Sequence, residues 1–556
     1  MRTRLWSGIP LALAAPAALI AACGSTPEAE TPPDRSDAGS QVDATINGGD
    51  AGGGLRDGGA TDAGIEDGGS DDDVVLPIDT VLTPPVPNGP ILGTVTGYEI
   101  NTGCPMPQPS FCYAPEYTTY DRDLPSFWDI LVDEHLFSRV DVVMAHGRGC
   151  YSLDGGVEGN GNMCPRLLSN LVDAVHRVAA EDVYRVGMWD DTGAYQGARN
   201  YVDNLPPDTL FDLADQTSWR FFWDYNMKIW HDTVPSTLWY RINGRPVVAF
   251  WSLASAFFTN QQGNASLLLR YLRANFQSTY GEDPFFIVDQ TWTQLDTTIT
   301  TNDVQGMNAW FEPPGNNDTY RAWNGAEWGA AVPGFRNPDT DAGCGDSCRE
   351  VPRADGGALR SALTAGLDAG STFTLLEGWT DIFESAGYYR SAAWTFPNQY
   401  IGIVREYADP AVATLRFQAE GADSFSSKVA PPPDAAANVY RPDVPNIGQL
   451  ADKTGWYVDW TGGGGWVEFS SIKLVCGTYR FTARVAAASS ATIHLEVDGT
   501  SLGSVMVPAT ADMDTYELAH LATVTLADGP HTIRLVSDTG GVDADWFFLR
   551  RSAECM

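Results

Sequence analysis

Two carboxylates three residues apart, Asp381 and Glu384, sit in the stretch Trp379-Thr-Asp-Ile-Phe-Glu-Ser-Ala-Gly-Tyr-Tyr-Arg-Ser391. That spacing puts both acids on one side of a turn, close enough to flank a single bond, where one acts as a base and the other as a general acid. Glu312, in Trp310-Phe-Glu312, and Glu377, at the end of Thr372–Glu377, are the alternatives for the same chemistry. Each has a plainer reading: Glu312 precedes Pro313-Pro314 and can begin a turn, and Glu377 can be a buried carboxylate held by an arginine. No serine or cysteine lies in a nucleophile-elbow context, so ester hydrolysis is disfavoured.

These acids need a scaffold, and residues 90–410 supply one. Eight short apolar runs are present: Ile91–Ile100, Val140–His146, Tyr184–Asp190, Pro246–Leu253, Phe285–Trp292, Gly306–Glu312, Ala330–Phe335 and Thr372–Glu377. Between them lie amphipathic stretches such as Leu167-Leu-Ser-Asn-Leu-Val-Asp-Ala-Val-His-Arg-Val-Ala179, apolar at i, i+3, i+4 and i+7. The alternation predicts a (β/α)₈ TIM-like barrel with long loops, its sixth and seventh helices poorly marked. In such a barrel the carboxyl ends of the strands face the site. They carry Tyr98 and Glu99, His146 and Arg148, Trp189, Asp190 and Asp191, Trp251, Asp289 and Trp292, Trp310, and Trp379. Indole faces stack on the C–H faces of pyranose rings and carboxylates accept from hydroxyls, so this set reads as substrate-binding and points to a glycan cleft. Asp190-Asp191 can equally cap the next helix, and His146 reads as a positioning or hydrogen-bonded core histidine.

Residues 415–556 follow another rule. Tyr479-Arg-Phe-Thr-Ala-Arg-Val485, Thr492-Ile-His-Leu-Glu-Val497 and His531-Thr-Ile-Arg-Leu-Val536 alternate apolar with polar residues between Asp-Gly, Gly-Pro and Ala-Ser turns. This is the patterning of an all-β sandwich. Trp460 and Trp466 have core packing as their plain reading, but four glycines from 462 to 465 leave a loop bare enough for a flat ligand to reach an aromatic face.

Gln418-Ala-Glu420, Tyr457-Val-Asp-Trp-Thr-Gly-Gly-Gly-Gly-Trp-Val-Glu-Phe469, Cys476-Gly-Thr-Tyr-Arg-Phe-Thr-Ala-Arg-Val485 and Asp543-Ala-Asp-Trp-Phe-Phe548 resemble the family 6 and 35 carbohydrate-binding modules. The resemblance implies a jelly-roll module with a structural calcium on Gln418, Glu420 and Asp545, oxygen ligands from both ends of the domain. It also implies a sugar site at Trp466 and Asp543, the latter standing where that family usually has Asn. A carboxylate only accepts hydrogen bonds where an amide also donates. The segment Trp379–Ser391 is similar to the Trp-Asn-Glu-Trp-Gly/His-Glu-Gly motif of glycoside hydrolase families 99 and 71, and Trp239-Tyr-Arg-Ile-Asn-Gly-Arg-Pro-Val-Val-Ala-Phe-Trp251 to the entry of their fourth strand. By that resemblance Asp381 would deprotonate a sugar 2-hydroxyl and Glu384 would protonate the leaving oxygen, with no catalytic cofactor. The arrangement is nearest to a group of bacterial barrels bearing the same kind of C-terminal module.

Arg2 and Arg4, the apolar Leu11–Ile20 and Ile20-Ala-Ala-Cys23 have the order of an export signal ending in a lipobox, with a plain secretory signal as the alternative. Residues 1–22 are thus expected to be removed and Cys23 lipidated, anchoring an exported protein at the outer membrane or cell surface. Residues 23–89, rich in Gly, Asp, Ala and Ser, are expected to be a disordered tether. A net charge of −37 argues against nucleic acid and anionic lipid as partners, but sets no penalty on uncharged glycans. The eight remaining cysteines suggest disulfides by proximity: Cys104 with Cys112, Cys150 with Cys164, Cys344 with Cys348 and Cys476 with Cys555. No histidine accompanies them at zinc spacing. The sequence therefore supports a monomeric, membrane-anchored glycoside hydrolase with a polysaccharide or glycan substrate. The alternative is a non-catalytic surface glycan-binding lipoprotein whose barrel is a binding platform.

Overall fold

The computed structural model describes residues 91–96, 122–154, 164–178, 180, 181, 184–309, 318–336, 350–382, 385–391, 393–395, 397–408, 414–426, 447–451 and 455–555. The signal and tether segments, Cys23, Tyr98, Glu99, Trp310, Glu312, Glu384 and the cysteines 104, 112, 344 and 348 lie outside the described residues.

Among the described residues eight strands run parallel: β1 (Ile91–Thr96), β2 (Val142–Gly147), β3 (Val186–Asp190), β4 (Arg245–Phe250), β5 (Phe285–Asp289), β6 (Gly306–Asn308), β8 (Ala326–Ala331) and β9 (Ser371–Leu376). With the antiparallel β7 (Asp318–Trp323), their order is β7-β8-β9-β1-β2-β3-β4-β5-β6. The sheet is nearly closed. A Cβ at Gly306 on β6 would come within 2.8 Å of the Trp328 ring on β8, so glycine lets these two strands approach, although no ladder joins them among the described residues.

Helices α1 (Pro125–Ser138), α2 (Pro165–Arg177), α3 (Tyr195–Val202), α4 (Asn264–Tyr280), α5 (Gln290–Leu295), α6 (Gly357–Ala369) and α7 (Gln399–Tyr407) line the outside. Proline in the first turn starts α1 and α2, while Arg139 and Gly281, both left-handed, end α1 and α4. Two expectations are corrected. The seventh run was placed at Ala330–Phe335, but the parallel strand is Ala326–Ala331. It is reached from β7 through Asn324-Gly325, both at positive φ, the signature of a tight hairpin turn. The fifth strand ends at Asp289 and not Trp292, because Asp289 accepts from the Thr291 N–H and caps α5.

The C-terminal domain is a sandwich of two antiparallel sheets. One joins Thr414–Gln418, Ile447–Gln449, Trp456–Trp460, Gly477–Ala487, Glu517–Leu526 and Val542–Glu554. The other joins Ser424–Phe425, Gly465–Leu474, Ala491–Val497, Thr500–Val507 and Gly529–Ser537. The first strand pairs with the last, from Thr414 opposite Arg550 to Gln418 opposite Trp546. Disulfides join Cys150 to Cys164 and Cys476 to Cys555, two of the four pairings expected.

The barrel-like sheet domain, called the barrel below, and the sandwich share a core. Phe137 of α1 packs on Phe417 and Phe469 of the sandwich at ring distances of 6.0 and 5.8 Å. Trp456 Nε1 donates to Asp129 Oδ2 of α1 at 3.4 Å, and Arg416 Nη2 to the Val178 carbonyl at 2.9 Å. Asp129, Asp133 and Phe137, four apart, form one face of α1 turned to the sandwich. Its other side meets the barrel: His135 contacts Thr96 Oγ1 at 3.1 Å and the Tyr184 hydroxyl at 2.7 Å. Burial holds the His135 imidazole neutral, its pKa lowered to about 3.

Candidate functional site

Side chains alternate along a strand, so the barrel's interior cluster fixes which residues face the mouth. Val142 and Met144 on β2, Trp189 on β3, Val247 and Ala249 on β4, Ile287 on β5, and Phe373 and Leu375 on β9 lie inside. Continuing each alternation by one step points His146, Asp191, Trp251, Asp289 and Glu377 inward at the carboxyl ends of five strands. Asn308 joins them, because it pairs in register with Asp289. All of these but Asn308 were expected at the strand ends, and the fold brings them to one end.

Asp191 is the best-defined member. His146 Nε2 lies 3.2 Å and Arg148 Nε 3.0 Å from its Oδ2, while Oδ1 accepts from the Gly193 N–H at 3.1 Å. Burial works to raise its pKa, but Arg148, His146 and the Gly193 amide outweigh it and hold the carboxyl below its ordinary value. Burial also lowers the His146 pKa against the pull of Asp191, so the imidazole is neutral. Trp251 is only partly buried and lies over the β3–α3 turn, where a Cβ at Gly193 would approach its ring to 2.7 Å. Glu377 is 1 % exposed, and its main-chain N–H donates to the Ala331 carbonyl at 3.1 Å. Asn308 is fully buried and neither of its amide atoms has a hydrogen-bond partner among the described residues. The sequence reading missed it; its signal was the Gly-Met-Asn order that puts residue 308 two after an inward glycine.

The other expected residues sit elsewhere. Asp190 faces the helical layer, accepting from the Tyr195 hydroxyl, and burial raises its pKa well above the ordinary carboxylate range. Trp189 is part of the barrel filling beneath the mouth. Trp292 is buried on α5 with Nε1 on the Trp251 carbonyl at 2.7 Å. Trp379 is fully buried behind β9, stacked on Tyr388 with Nε1 on Glu134 Oε2 at 3.2 Å. Asp381 is 4 % exposed in a turn closed by its N–H on the Gly378 carbonyl at 2.8 Å. Glu134 of α1 also accepts from the Arg390 N–H at 2.6 Å, so α1 holds both ends of this segment.

In the sandwich, Trp466 and Asp543 belong to different sheets. The Arg534 guanidinium lies 4.4 Å above the Trp466 ring and pairs with Glu468 and Glu496. Asp543 lies opposite Asp459 in register and shares a hydrogen bond with it; burial, then Asp459 and Asp514, push its pKa up to about 8. The aromatic residues near Asp543 are Tyr457 and Tyr516, their rings 6.3 Å apart, which the sequence reading did not select. Gln418 and Glu420 are buried at the end of the first strand, while Asp545 forms an ion pair with Arg484. Among the described residues no three His, Cys, Asp or Glu side chains gather closely enough to hold a metal by themselves.

A nearly closed, mostly parallel α/β sheet followed by a carbohydrate-binding-module-like sandwich defines a multidomain protein. The chain belongs to the family described as domain of unknown function DUF5010, whose model matches residues 92–424. The model of carbohydrate binding module family 35 matches residues 445–549. Solved structures similar to the sandwich include the C-terminal CBM6 of LamC, a laminarinase of Zobellia galactanivorans, at 22% identity over 25% of this chain and 99% of that one, TM-score 0.21. CsCBM6-3 of Clostridium stercorarium, solved with cellobiose, matches at 27% identity over 25% and 93%, TM-score 0.20. The GH26-CBM35 β-(1,4)-mannanase of Podospora anserina matches at 19% identity over 26% and 29%, TM-score 0.20. No curated protein matches the chain.

Proposed function

We propose that the protein is an exported, lipid-anchored monomer that hydrolyses glycosidic bonds at the mouth of a (β/α)₈ barrel related to glycoside hydrolase families 99 and 71. The observation that carries this reading is the inward ring of His146, Asp191, Trp251, Asp289, Asn308 and Glu377 at one end of the parallel sheet. Asp191, kept ionised beside Arg148, is suited to the base or stabilising role, and Glu377, one of the two alternative acids, to proton donation. Asp381 with Glu384 is the pair the family resemblance favours, and Glu312 is the remaining alternative. The sandwich would hold polymer beside the mouth and raise its effective concentration there. A structural calcium on the sandwich is part of the proposal, Gln418 and Glu420 being hard, buried oxygen donors.

The test incubates the full-length protein with α-mannans, β-glucans, xylans and host-type glycans and measures new reducing ends. Release by wild type that falls by about 100-fold or more in Glu377→Gln identifies the rim acid. A comparable fall only in Glu384→Gln moves the acid to the segment after β9. Retention on insoluble glycan with no release leaves the binding lipoprotein as the function.

A further inference from the structure

Helix α7 buries Ile401, Val404 and Arg405, and Arg405 stands four residues after Ile401, where the helical period asks for an apolar side chain. Its guanidinium carbon lies 4.8 Å from the centre of the Phe137 ring on α1 and 5.0 Å from that of Phe417 in the sandwich. Phe469 packs on both of those rings, at 5.8 and 4.9 Å, so the arginine sits on an aromatic cluster built from both domains. Arg405 is 5 % exposed, and neither Nη1 nor Nη2 has a hydrogen-bond partner among the described residues. Ring faces attract a cation but accept no bond in the guanidinium plane, so these edge N–H groups call for a different acceptor. Asp423, whose negative charge acts on Arg405, is already occupied: Oδ1 accepts from the Asn398 N–H at 3.2 Å and Oδ2 from the Ser470 N–H at 2.7 Å.

We propose that the seam between barrel and sandwich binds a small monovalent anion of the chloride class on Nη1 and Nη2 of Arg405. The site is independent of the glycan and calcium readings above. A buried cation with no acceptor on its N–H groups is among the costliest defects a core can carry, and an anion removes it. Burial excludes a large or polymeric ligand, and the edge of a guanidinium presents two N–H groups to one acceptor. Electrostatics agree. Arg139, in the left-handed turn that ends α1 two residues past Phe137, adds a like charge. Burial foremost, and then Arg139, bring the Arg405 pKa down to about 9, so the side chain is still a cation at neutral pH. An anion at this point neutralises charge where α1, α7 and the first sandwich strand meet, and it makes the docking of the two domains depend on the ion.

The experiment holds the full-length protein at neutral pH and fixed ionic strength while sodium chloride replaces sodium gluconate, because screening alone stabilises a chain of net charge −37. Chloride binding is followed by saturable broadening of the chloride NMR line, and stability by the thermal midpoint. Wild type is expected to bind chloride and to gain midpoint with it. Arg405→Met keeps an apolar stem against the rings without the charge, and is expected to weaken chloride binding by about ten-fold or more and to lose the chloride-dependent gain. An equal chloride response in Arg405→Met puts the ion elsewhere and overturns the proposal. A wild type indifferent to chloride also overturns it and leaves buried water as the acceptor. Hydrogen exchange on wild type gives a readout that needs no variant to fold: chloride should slow exchange in Pro125–Ser138, Gln399–Tyr407 and Thr414–Gln418 together, and protection that is uniform or confined to one domain rejects the site.

Discussion

Two helices of nearly equal length, α1 and α2, begin with proline and pack side by side, yet only one of them announces its burial in the sequence. In α2 the buried residues Leu167, Leu168, Leu171, Val172, Ala174 and Val175 make one stripe and the rest is exposed or half-buried. In α1 burial runs through Phe127, Asp129, Asp133, Glu134, His135 and Phe137 alike, because the sandwich covers the side that α2 leaves wet. An amphipathic stripe reports burial on one side; a helix buried on both has polar residues paired inside and no stripe. The barrel's first helix is thus also part of the sandwich's foundation.

Substitutions on the seam should separate these helices. The largest effect is expected from Phe137→Ala, a loss of about 3 to 5 kcal/mol, since a phenylalanine between two aromatic rings leaves a cavity. Denaturant unfolding should remain a single transition in wild type and split in this variant; two transitions in wild type would show that the domains do not share a core. Asp129→Ala comes next, at about 3 kcal/mol, because it strands the Arg177 guanidinium, 2.7 Å from Asp129 Oδ1, and the Trp456 N–H. The matching change on the exposed side of α2, Asp173→Ala, should stay within about 0.5 kcal/mol. Equal losses at the two aspartates would erase the contrast.

A buried acid whose neighbours are acids should respond to pH instead. Asp543, with a folded pKa of about 8, keeps a proton that the unfolded chain releases at the ordinary value of 3.8. Its contribution is therefore present at low pH and lost as pH rises through about 4 to 8. Asp543→Asn should match wild type near pH 4 and exceed its thermal midpoint at pH 9; parallel midpoints across the range would count against the raised pKa. The smallest effect expected is on glycan retention by the sandwich. Tyr516→Ala should lower retention more than Trp466→Ala, because Tyr516 stands near Asp543, whereas Trp466 lies on the opposite sheet. The reverse order on an affinity gel would put the sugar on the other sheet.

Much of the scaffold was legible. The first five strands and the last are anticipated within a few residues, since a strand buried on both faces reads as a short apolar run and a half-buried one as an alternation. The seventh was misplaced although Asn324-Gly325 marks a hairpin, because the apolar Ala330–Phe335 outweighed the turn. At the candidate site, His146, Asp191, Asp289 and Glu377 were named from strand ends alone, but Asp190 was grouped with Asp191 although adjacent residues point to opposite faces.

The amino-acid order by itself determined the strand patterning, the two-domain division and the acids and indoles available, because those depend on neighbours one to four residues away. Tertiary structure decided which of them share a site. Trp379 is held by Glu134, Asp129 by Trp456 and Asp545 by Arg484, partners brought from distant segments by the fold, and for Asp129 and Trp456 by the packing of one domain on the next. A carboxylate's role follows from its partners and its access to water, and folding chooses both.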